Sequence, residues 1–225
     1  MNSRFFPGTG RHLSVRSSRL PAEKVRAVAL VLHGGRVSGR EPVTWYQPAV
    51  LRVNLLAEAL HRRVHRHGVQ VWNLRFAVRG WNGPEASPVE DARWALEQIE
   101  GRLARPIVLV GHSMGARTAL RVADGENVRG AVALAPWVPE DEPVHQLAGR
   151  SVALVHGTED KVTDPRLTSR YAERARSAAD SVVHHEIPGA DHAMLRSIKQ
   201  WDTLTAAAAL DILGLTEHGP RRQTP

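Results

Sequence analysis

Five consecutive residues near the middle of the chain, Gly111-His112-Ser113-Met114-Gly115, could carry nucleophilic chemistry. They directly follow the apolar run 107–110 and directly precede a helical pattern over 116–123. A serine on a sharp strand-to-helix turn has a strained backbone, and flanking glycines permit the turn because a side chain there would clash. The helix N-terminus also favours a developing oxyanion. The pentapeptide alone could be an ordinary glycine-rich turn, but its position indicates that Ser113 is a nucleophile.

A serine hydroxyl becomes a strong nucleophile only when a base takes its proton, so a histidine held by a carboxylate should accompany Ser113. Both residue types follow in the order serine, acid, histidine. The loop after the apolar run 152–155 reads His156-Gly157-Thr158-Glu159-Asp160, and the loop after the last strand pattern reads Pro188-Gly189-Ala190-Asp191-His192. In a parallel sheet both loops open at the edge where Ser113 lies.

Several carboxylates compete for the role of the acid. Asp164 precedes Pro165 and is better explained as a helix N-cap, which would occupy its side chain locally. Asp191 directly precedes His192, and neighbouring side chains in an extended loop tend to point apart. Glu159 and Asp160 remain as candidates on these grounds.

Together these motifs resemble the α/β-hydrolase family, from the His33-Gly34-Gly35 turn to His192. The resemblance places the acid at Asp160 rather than Glu159. It implies that Asp160 orients His192, that His192 acts as general base and then general acid, and that Ser113 forms a covalent acyl-enzyme. It also implies a small-molecule acyl substrate and no cofactor.

An oxyanion hole in such a site needs two backbone N–H donors. One comes from the residue after the nucleophile, which is Met114. The resemblance of the His-Gly turn places the other at Gly35, with Arg36 as the neighbouring alternative. The same turn could also be an ordinary tight strand exit, although glycines here allow the backbone to approach a substrate closely.

The rest of the chain supplies elements that would position these loops. Short apolar runs alternate with amphipathic stretches, which predicts an α/β fold with a mostly parallel sheet and helices on both faces. The predicted strands are 27–32, 69–74, 107–110, 131–134, 152–155 and the more polar 182–187, which we place near a sheet edge. The predicted helices are 54–67, 87–103, 116–123, 164–178 and 193–213, the second starting with a capping box from Ser87 to Glu90.

At 225 residues the chain is expected to form a single α/β-hydrolase domain, with an N-terminal extension or edge strand over 1–20 and a flexible tail over 216–225. It has no cysteine, which excludes disulfides and thiolate sites. The absence of a long apolar run predicts no membrane span, and we expect a cytoplasmic protein. The net charge of +7 is spread along the chain, and all but three of its 30 basic residues are arginine. A nucleic-acid partner is therefore not the favoured interpretation.

Further features bear on ligands. His61 and His65 have a spacing that could bind metal on a helix, but no third ligand is evident and the surrounding arginines would repel a cation, so no metal site is predicted. Four aromatic residues in loops at the carboxyl ends of strands could cover an acyl pocket or pack the loops: Trp45, Tyr46, Trp81 and Trp137. The segment 136–150 is too short for a helical cap domain, which predicts an open site.

The function expected from these residues is hydrolysis of a carboxylic ester or thioester. Acyl transfer, amide or peptide cleavage and perhydrolysis would use the same triad, and the sequence does not separate them. A non-catalytic binding protein on the same fold, including a basic nucleic-acid binder, is the alternative from another class. Fold analogy does not identify the substrate, and the sequence does not indicate the oligomeric state.

Overall fold

A computed structural model describes residues 3–5, 10–16 and 20–216, which form an eight-stranded sheet and five α-helices. The strands are β1 Ser3–Phe5, β2 His12–Val15, β3 Ala27–Leu32, β4 Val69–Arg75, β5 Ile107–His112, β6 Val128–Leu134, β7 Ser151–Gly157 and β8 Ser181–Ile187. The helices are α1 Pro48–Val64, α2 Ser87–Leu103, α3 Met114–Arg121, α4 Pro165–Ala175 and α5 Ile198–Ile212. The predicted α/β fold class is confirmed.

The strand order across the sheet is β1-β2-β4-β3-β5-β6-β7-β8. The strands from β3 to β8 run parallel, whereas β1 and β2 are antiparallel to their neighbours. All six predicted strands are present, and the polar β8 lies at an edge, as expected. Because β3 pairs with both β4 and β5, the strand order reverses beside β3. In open α/β sheets, ligands bind in the crevice outside such a reversal.

Helices cover both faces of the sheet, which explains why its central strands are apolar without alternation. In β3, Leu30 and Leu32 pack in one apolar cluster with side chains of α2, α3 and α4. Ala29 and Val31, on the opposite face, pack in a second cluster with side chains of α1 and α5. All four of these side chains are fully buried.

Several predicted helix boundaries were wrong. α1 begins at Pro48 rather than 54, because Pro48 fits the first helical turn. α5 begins at Ile198 rather than 193, because the residues before it form a loop with positive φ at Met194 and Ser197. α3 begins two residues earlier than predicted, at Met114, and α4 ends at Ala175 rather than 178.

The predicted capping box at α2 is also wrong. Ala86, with a left-handed φ of 45°, precedes the helix and makes no side-chain cap hydrogen bond. Ser87 instead donates its hydroxyl to Glu85, at 2.6 Å, and accepts a hydrogen bond from the Asn82 amide. The Ser87 hydroxyl therefore bonds to residues of the turn before α2 and does not cap the helix.

The segment between β6 and β7, residues 135–150, contains a single short 3₁₀ turn, His145–Leu147, and no cap domain. It is held to α3 by the fully buried Glu142, which pairs with Arg117 at 2.6 Å and with Arg121. A buried carboxylate is tolerated when it is paired in this way. Among the described residues, no helix is long and apolar enough to cross a membrane. The predicted tail, apart from Thr216, lies outside the described residues.

Candidate active site

Ser113 lies in the turn between β5 and α3, and its backbone is strained. Its φ is 55° and its ψ is −117°, a conformation that a non-glycine residue adopts only where the surroundings enforce it. The Ser113 N–H donates to Leu134 O at 3.0 Å, which ties the turn to β6. Although Ser113 precedes the first residue of α3, its hydroxyl makes no cap hydrogen bond.

The glycines on either side of Ser113 are required by close backbone packing. A Cβ at Gly111 would collide with the carbonyl group of Gly115, and one at Gly115 would collide with the carbonyl of Leu32. The strand-turn-helix geometry expected of the pentapeptide is therefore present.

The two predicted oxyanion donors lie beside Ser113. Gly34 approaches the serine so closely that a Cβ on it would be 3.4 Å from the Ser113 Cβ. A Cβ at Gly35 would collide with the side chain of Met114. Among the described residues, no hydrogen bond is recorded from the backbone N–H of Gly35 or of Met114. In contrast, the backbone N–H of Arg36, the predicted alternative donor, already donates a hydrogen bond to Arg79 O at 2.9 Å.

His33 connects the turn at Gly34 and Gly35 to the residue after β4 through two hydrogen bonds. Its Nε2 accepts a hydrogen bond from the Phe76 N–H at 3.1 Å, so Nδ1 carries the proton and donates to Gly34 O at 2.6 Å. The pKa of His33 is lowered to about 4, mainly by burial. The hydrogen bond to Gly34 raises this pKa, and nearby Arg75 lowers it. A neutral imidazole thus orients the turn between β3 and α1.

Asp160 and His192 are brought together by the loops after β7 and β8. His192 Nδ1 lies 2.7 Å from Asp160 Oδ2. The other oxygen, Oδ1, accepts from the N–H groups of Val162 at 2.7 Å and Thr163 at 2.9 Å. Burial alone would raise the pKa of Asp160. The hydrogen bonds from His156, His192 and these N–H groups outweigh burial and hold the pKa well below its usual value.

The other candidate acids make different contacts. Asp164 accepts a hydrogen bond from Arg166 N and caps α4, as predicted. Asp191 Oδ1 accepts from the N–H groups of Leu195 and Arg196. Glu159 lies 3.5 Å from the exposed ammonium group of Lys161. Only Asp160 among these four carboxylates is within hydrogen-bonding distance of His192.

A second histidine on Asp160 was not anticipated from the sequence. His156 is fully buried, and its Nε2 lies 3.0 Å from Asp160 Oδ2 while the Thr168 hydroxyl lies 2.7 Å from its Nδ1. The Thr163 hydroxyl donates to the same Asp160 oxygen at 2.8 Å. The only sequence signal for this role was a histidine four residues before the acid, at the end of a strand.

His112, which is buried, contacts His192. Its Nε2 donates to His192 O at 2.8 Å, and the two rings are 4.9 Å apart. The pKa of His112 is lowered to about 3, mainly by burial and also by the neighbouring His192. Arg52 of α1 donates to the carbonyls of Ala193 and Met194, so it holds the residues that follow His192.

Ser113 and His192 are therefore linked through the neighbouring His112. Among the described residues, no hydrogen bond is recorded between the Ser113 hydroxyl and His192.

The four predicted substrate-contacting aromatics fall into two pairs. Trp45 and Tyr46 are exposed and stack edge to face, with centroids 5.7 Å apart. Trp81 is only 3% exposed, and the Arg117 guanidinium lies 3.9 Å from its ring and 4.7 Å from that of Trp137. Trp81 is thus a core residue and has little surface with which to cover an acyl pocket.

Trp137 contacts the candidate nucleophile directly, because the backbone N–H of Trp137 donates to Ser113 O at 3.4 Å. No group of three or more potential metal ligands occurs among the residues that the structure describes, and His65 Nδ1 contacts His61 O instead.

Comparison with known proteins supports the same fold. A family model described as "Alpha/beta hydrolase family" matches residues 29–150. No curated protein matches the sequence of the chain. Among solved structures, an alpha-beta serine hydrolase homologue from Coxiella burnetii is 16% identical with a TM-score of 0.66, over 92% of this chain and 96% of that one.

Two further solved structures are similar. A serine hydrolase without lid from Xanthomonas campestris is 15% identical, with a TM-score of 0.61, over 93% of this chain and 90% of that one. A butyrate-bound esterase from Thermogutta terrifontis is 18% identical, with a TM-score of 0.68, over 93% and 92% respectively. At these identities the likeness concerns the fold.

Proposed function

Since the chain belongs to the alpha/beta hydrolase family, we propose that it hydrolyses carboxylic esters or thioesters through an acyl-enzyme on Ser113. The observation that carries the proposal is the 2.7 Å contact between His192 Nδ1 and Asp160, in loops that open beside the strained Ser113 turn. A carboxylate on Nδ1 keeps the proton there, which leaves Nε2 free to accept a proton.

In the proposed reaction, Ser113 Oγ attacks the carbonyl carbon of the substrate and its proton moves to His192 Nε2. The negative charge on the carbonyl oxygen is stabilised by the N–H groups of Gly35 and Met114. Collapse of this intermediate breaks the bond to the leaving group, which receives the proton from His192. Water then attacks the acyl-enzyme by the same steps in reverse and releases the acid and free Ser113.

The short segment between β6 and β7 supports an accessible site, because no cap domain is inserted there. The esterase from T. terrifontis was solved with butyrate, which makes a short-chain ester a suitable first substrate. We therefore choose p-nitrophenyl butyrate as the probe.

Replacement of Ser113 by alanine tests the proposal. Ser113→Ala should abolish turnover of p-nitrophenyl butyrate and labelling by a fluorophosphonate, which reacts only with an activated serine. Ser177→Ala is the matched control, since this serine follows α4 and its hydroxyl contacts only Arg174 O at 2.8 Å in the hydrogen bonds described. Turnover that persists unchanged in Ser113→Ala, or absence of wild-type labelling, would overturn the proposal.

A further inference from the structure

A cavity of about 240 Å³ adjoins the turn that contains the proposed oxyanion donor Gly35. Its wall includes Gly34 and Gly35 themselves, two arginines and the start of α1. The lining residues that matter here are Gly34, Gly35, Arg36, Gln47 and Arg79. Gly34 connects this cavity to the candidate nucleophile, because Gly34 lines the cavity and also packs against Ser113, which is not itself part of the wall.

Arg79 is held in a defined position at this cavity. With its amide oriented to match its neighbours, Gln47 accepts hydrogen bonds from Arg79 Nε at 2.6 Å and from Nη2 at 2.7 Å. The same amide oxygen accepts the N–H of Thr44 at 3.2 Å. A guanidinium oriented by a neutral amide keeps its full charge and retains donors that can bind a second partner.

Arg36 is joined to Arg79 through the backbone. The Arg36 N–H donates to Arg79 O at 2.9 Å, and Arg36 O accepts the N–H of Trp81 at 2.9 Å. The loops after β3 and β4 are thereby connected, and the two arginine side chains come to line the same cavity.

Neither of the two arginines at the cavity is held in a described ion pair. No carboxylate lines the wall, and among the described residues no ion pair involves Arg36 or Arg79. The acid nearest to Arg36 in sequence is Glu41, whose backbone oxygen accepts the Arg79 N–H at 3.1 Å. The Glu41 carboxylate and the Cβ of Arg79 both lie beside Gly39, but the two side chains form no described ion pair. Arg79 is partly buried, whereas Arg36 is exposed. A cation without a counterion favours an anionic ligand, and arginine is suited to bidentate contact with carboxylate or phosphate.

We propose that this cavity is a subsite for an anionic group of the ester substrate, with Arg36 and Arg79 as the residues that determine the preference. The inference rests on the proposed ester hydrolysis at Ser113 and narrows its substrate class to esters that carry a carboxylate or phosphate. The subsite would orient the substrate, while the chemistry remains at Ser113.

A pair of esters of equal chain length tests this preference. Mono-p-nitrophenyl adipate carries a terminal carboxylate, and p-nitrophenyl hexanoate is its neutral counterpart. We expect the wild type to have a higher kcat/KM for the adipate ester, with a ratio that falls as NaCl is raised, because salt screens the attraction. A parallel pair with the charge on the leaving group, butyrate esters of 4-hydroxybenzoate and of its methyl ester, shows which side of the scissile bond the subsite serves.

The variants are Arg79→Gln, Arg36→Gln and the charge-retaining Arg79→Lys. Arg79→Gln should reduce the ratio for the preferred pair by about 10- to 100-fold, as expected for a lost hydrogen bond between charged groups. Arg79→Lys should recover part of the ratio. Arg40→Gln is the matched control, since Arg40 is exposed, pairs with Glu85 at 2.6 Å and does not line the cavity.

The outcomes separate the two proposals. If the wild type cleaves none of these esters, the proposed function fails. If it cleaves the neutral esters but favours neither anionic ester, or if Arg79→Gln retains the full ratio, the anionic subsite is wrong and ester hydrolysis stands. Urea unfolding of Arg79→Gln and Arg79→Lys checks that both variants are folded.

Discussion

Lowering the pH from 7 to 5 should destabilise the protein markedly, because two buried histidines, His33 and His112, must stay neutral in the folded state. The pKa of His33 is lowered to about 4 and that of His112 to about 3, mainly by burial. In the unfolded chain both should titrate near 6.5. Between the folded and unfolded values the unfolded state binds more protons, so stability is complete above pH 6.5 and is lost as the pH falls.

The expected loss follows from these values. At pH 5 an unfolded histidine with a pKa of 6.5 is about 1.5 pH units below its pKa, while both buried histidines are still neutral. Each therefore costs about 2 kcal/mol of unfolding free energy, and together they cost about 4 kcal/mol. Since a domain is stable by only about 5–15 kcal/mol, this is a large fraction of the total.

Other groups modify this loss. His12, His61 and His184 also have lowered pKa values and add to it. Asp91 and Asp202 have pKa values raised by burial, so their contributions run in the opposite direction. The depressed pKa of Asp160 contributes stability that is lost only at lower pH, below the value of about 3.9 for an unfolded aspartate.

Urea unfolding at pH 7.0 and pH 5.0 measures the effect. His112→Gln is the informative variant, because its amide can still donate to His192 O but does not titrate. We expect this variant to lose about 2 kcal/mol less than the wild type between the two pH values. A wild-type loss below about 1 kcal/mol, or an equal loss in His112→Gln, would refute the reasoning that these imidazoles are buried and neutral.

Two further predictions concern positions around the candidate site. His156→Ala should lower the unfolding free energy at pH 7 by about 1.5–3 kcal/mol, because the hydrogen bond to ionised Asp160 is lost. His156→Gln can still donate to Asp160 and should lower the unfolding free energy by less. Equal losses in the two variants would contradict this role of His156. Gly111→Ala should destabilise the protein by about 3 kcal/mol or more, because its Cβ would meet the backbone of Gly115. Gly101→Ala in α2, where a Cβ would have no neighbour within 4 Å, should instead raise stability by about 0.5–1 kcal/mol. Thermal unfolding in which Gly111→Ala is as stable as Gly101→Ala would show that Gly111 is not required by close backbone packing.

The strands were predictable because burial on both faces leaves a direct trace in the sequence. The run 27–32 contains no polar residue, and β3 occupies exactly those positions, with every side chain buried. Helix starts were less predictable, because the same residue types serve in caps and in turns. Asp164 caps α4 as its pattern predicts, whereas Ser87 bonds to residues of the preceding turn.

The candidate site was predictable where a local backbone conformation requires particular residues. Gly111 and Gly115 flank Ser113 because no side chain fits there, and this steric requirement can be recognised in a short motif. Of the two histidines that contact Asp160, His192 was expected from the resemblance, whereas His156 was not. His156 and His192 both contact Asp160 Oδ2, but one is 4 and the other 32 residues away, and only the packing of β7 against β8 makes both contacts possible.

The amino-acid sequence was enough to predict the α/β fold class, the strained serine turn and the order in which a serine, a carboxylate and a histidine follow one another. These are local properties, set by apolar runs, glycines and loop positions. Only the folded chain shows that His156 joins His192 on Asp160, that His33 and His112 are buried and neutral, and that Arg36 and Arg79 line one cavity. Those facts depend on distances between residues far apart in the chain, and on desolvation, which exists only once the sheet and helices have packed.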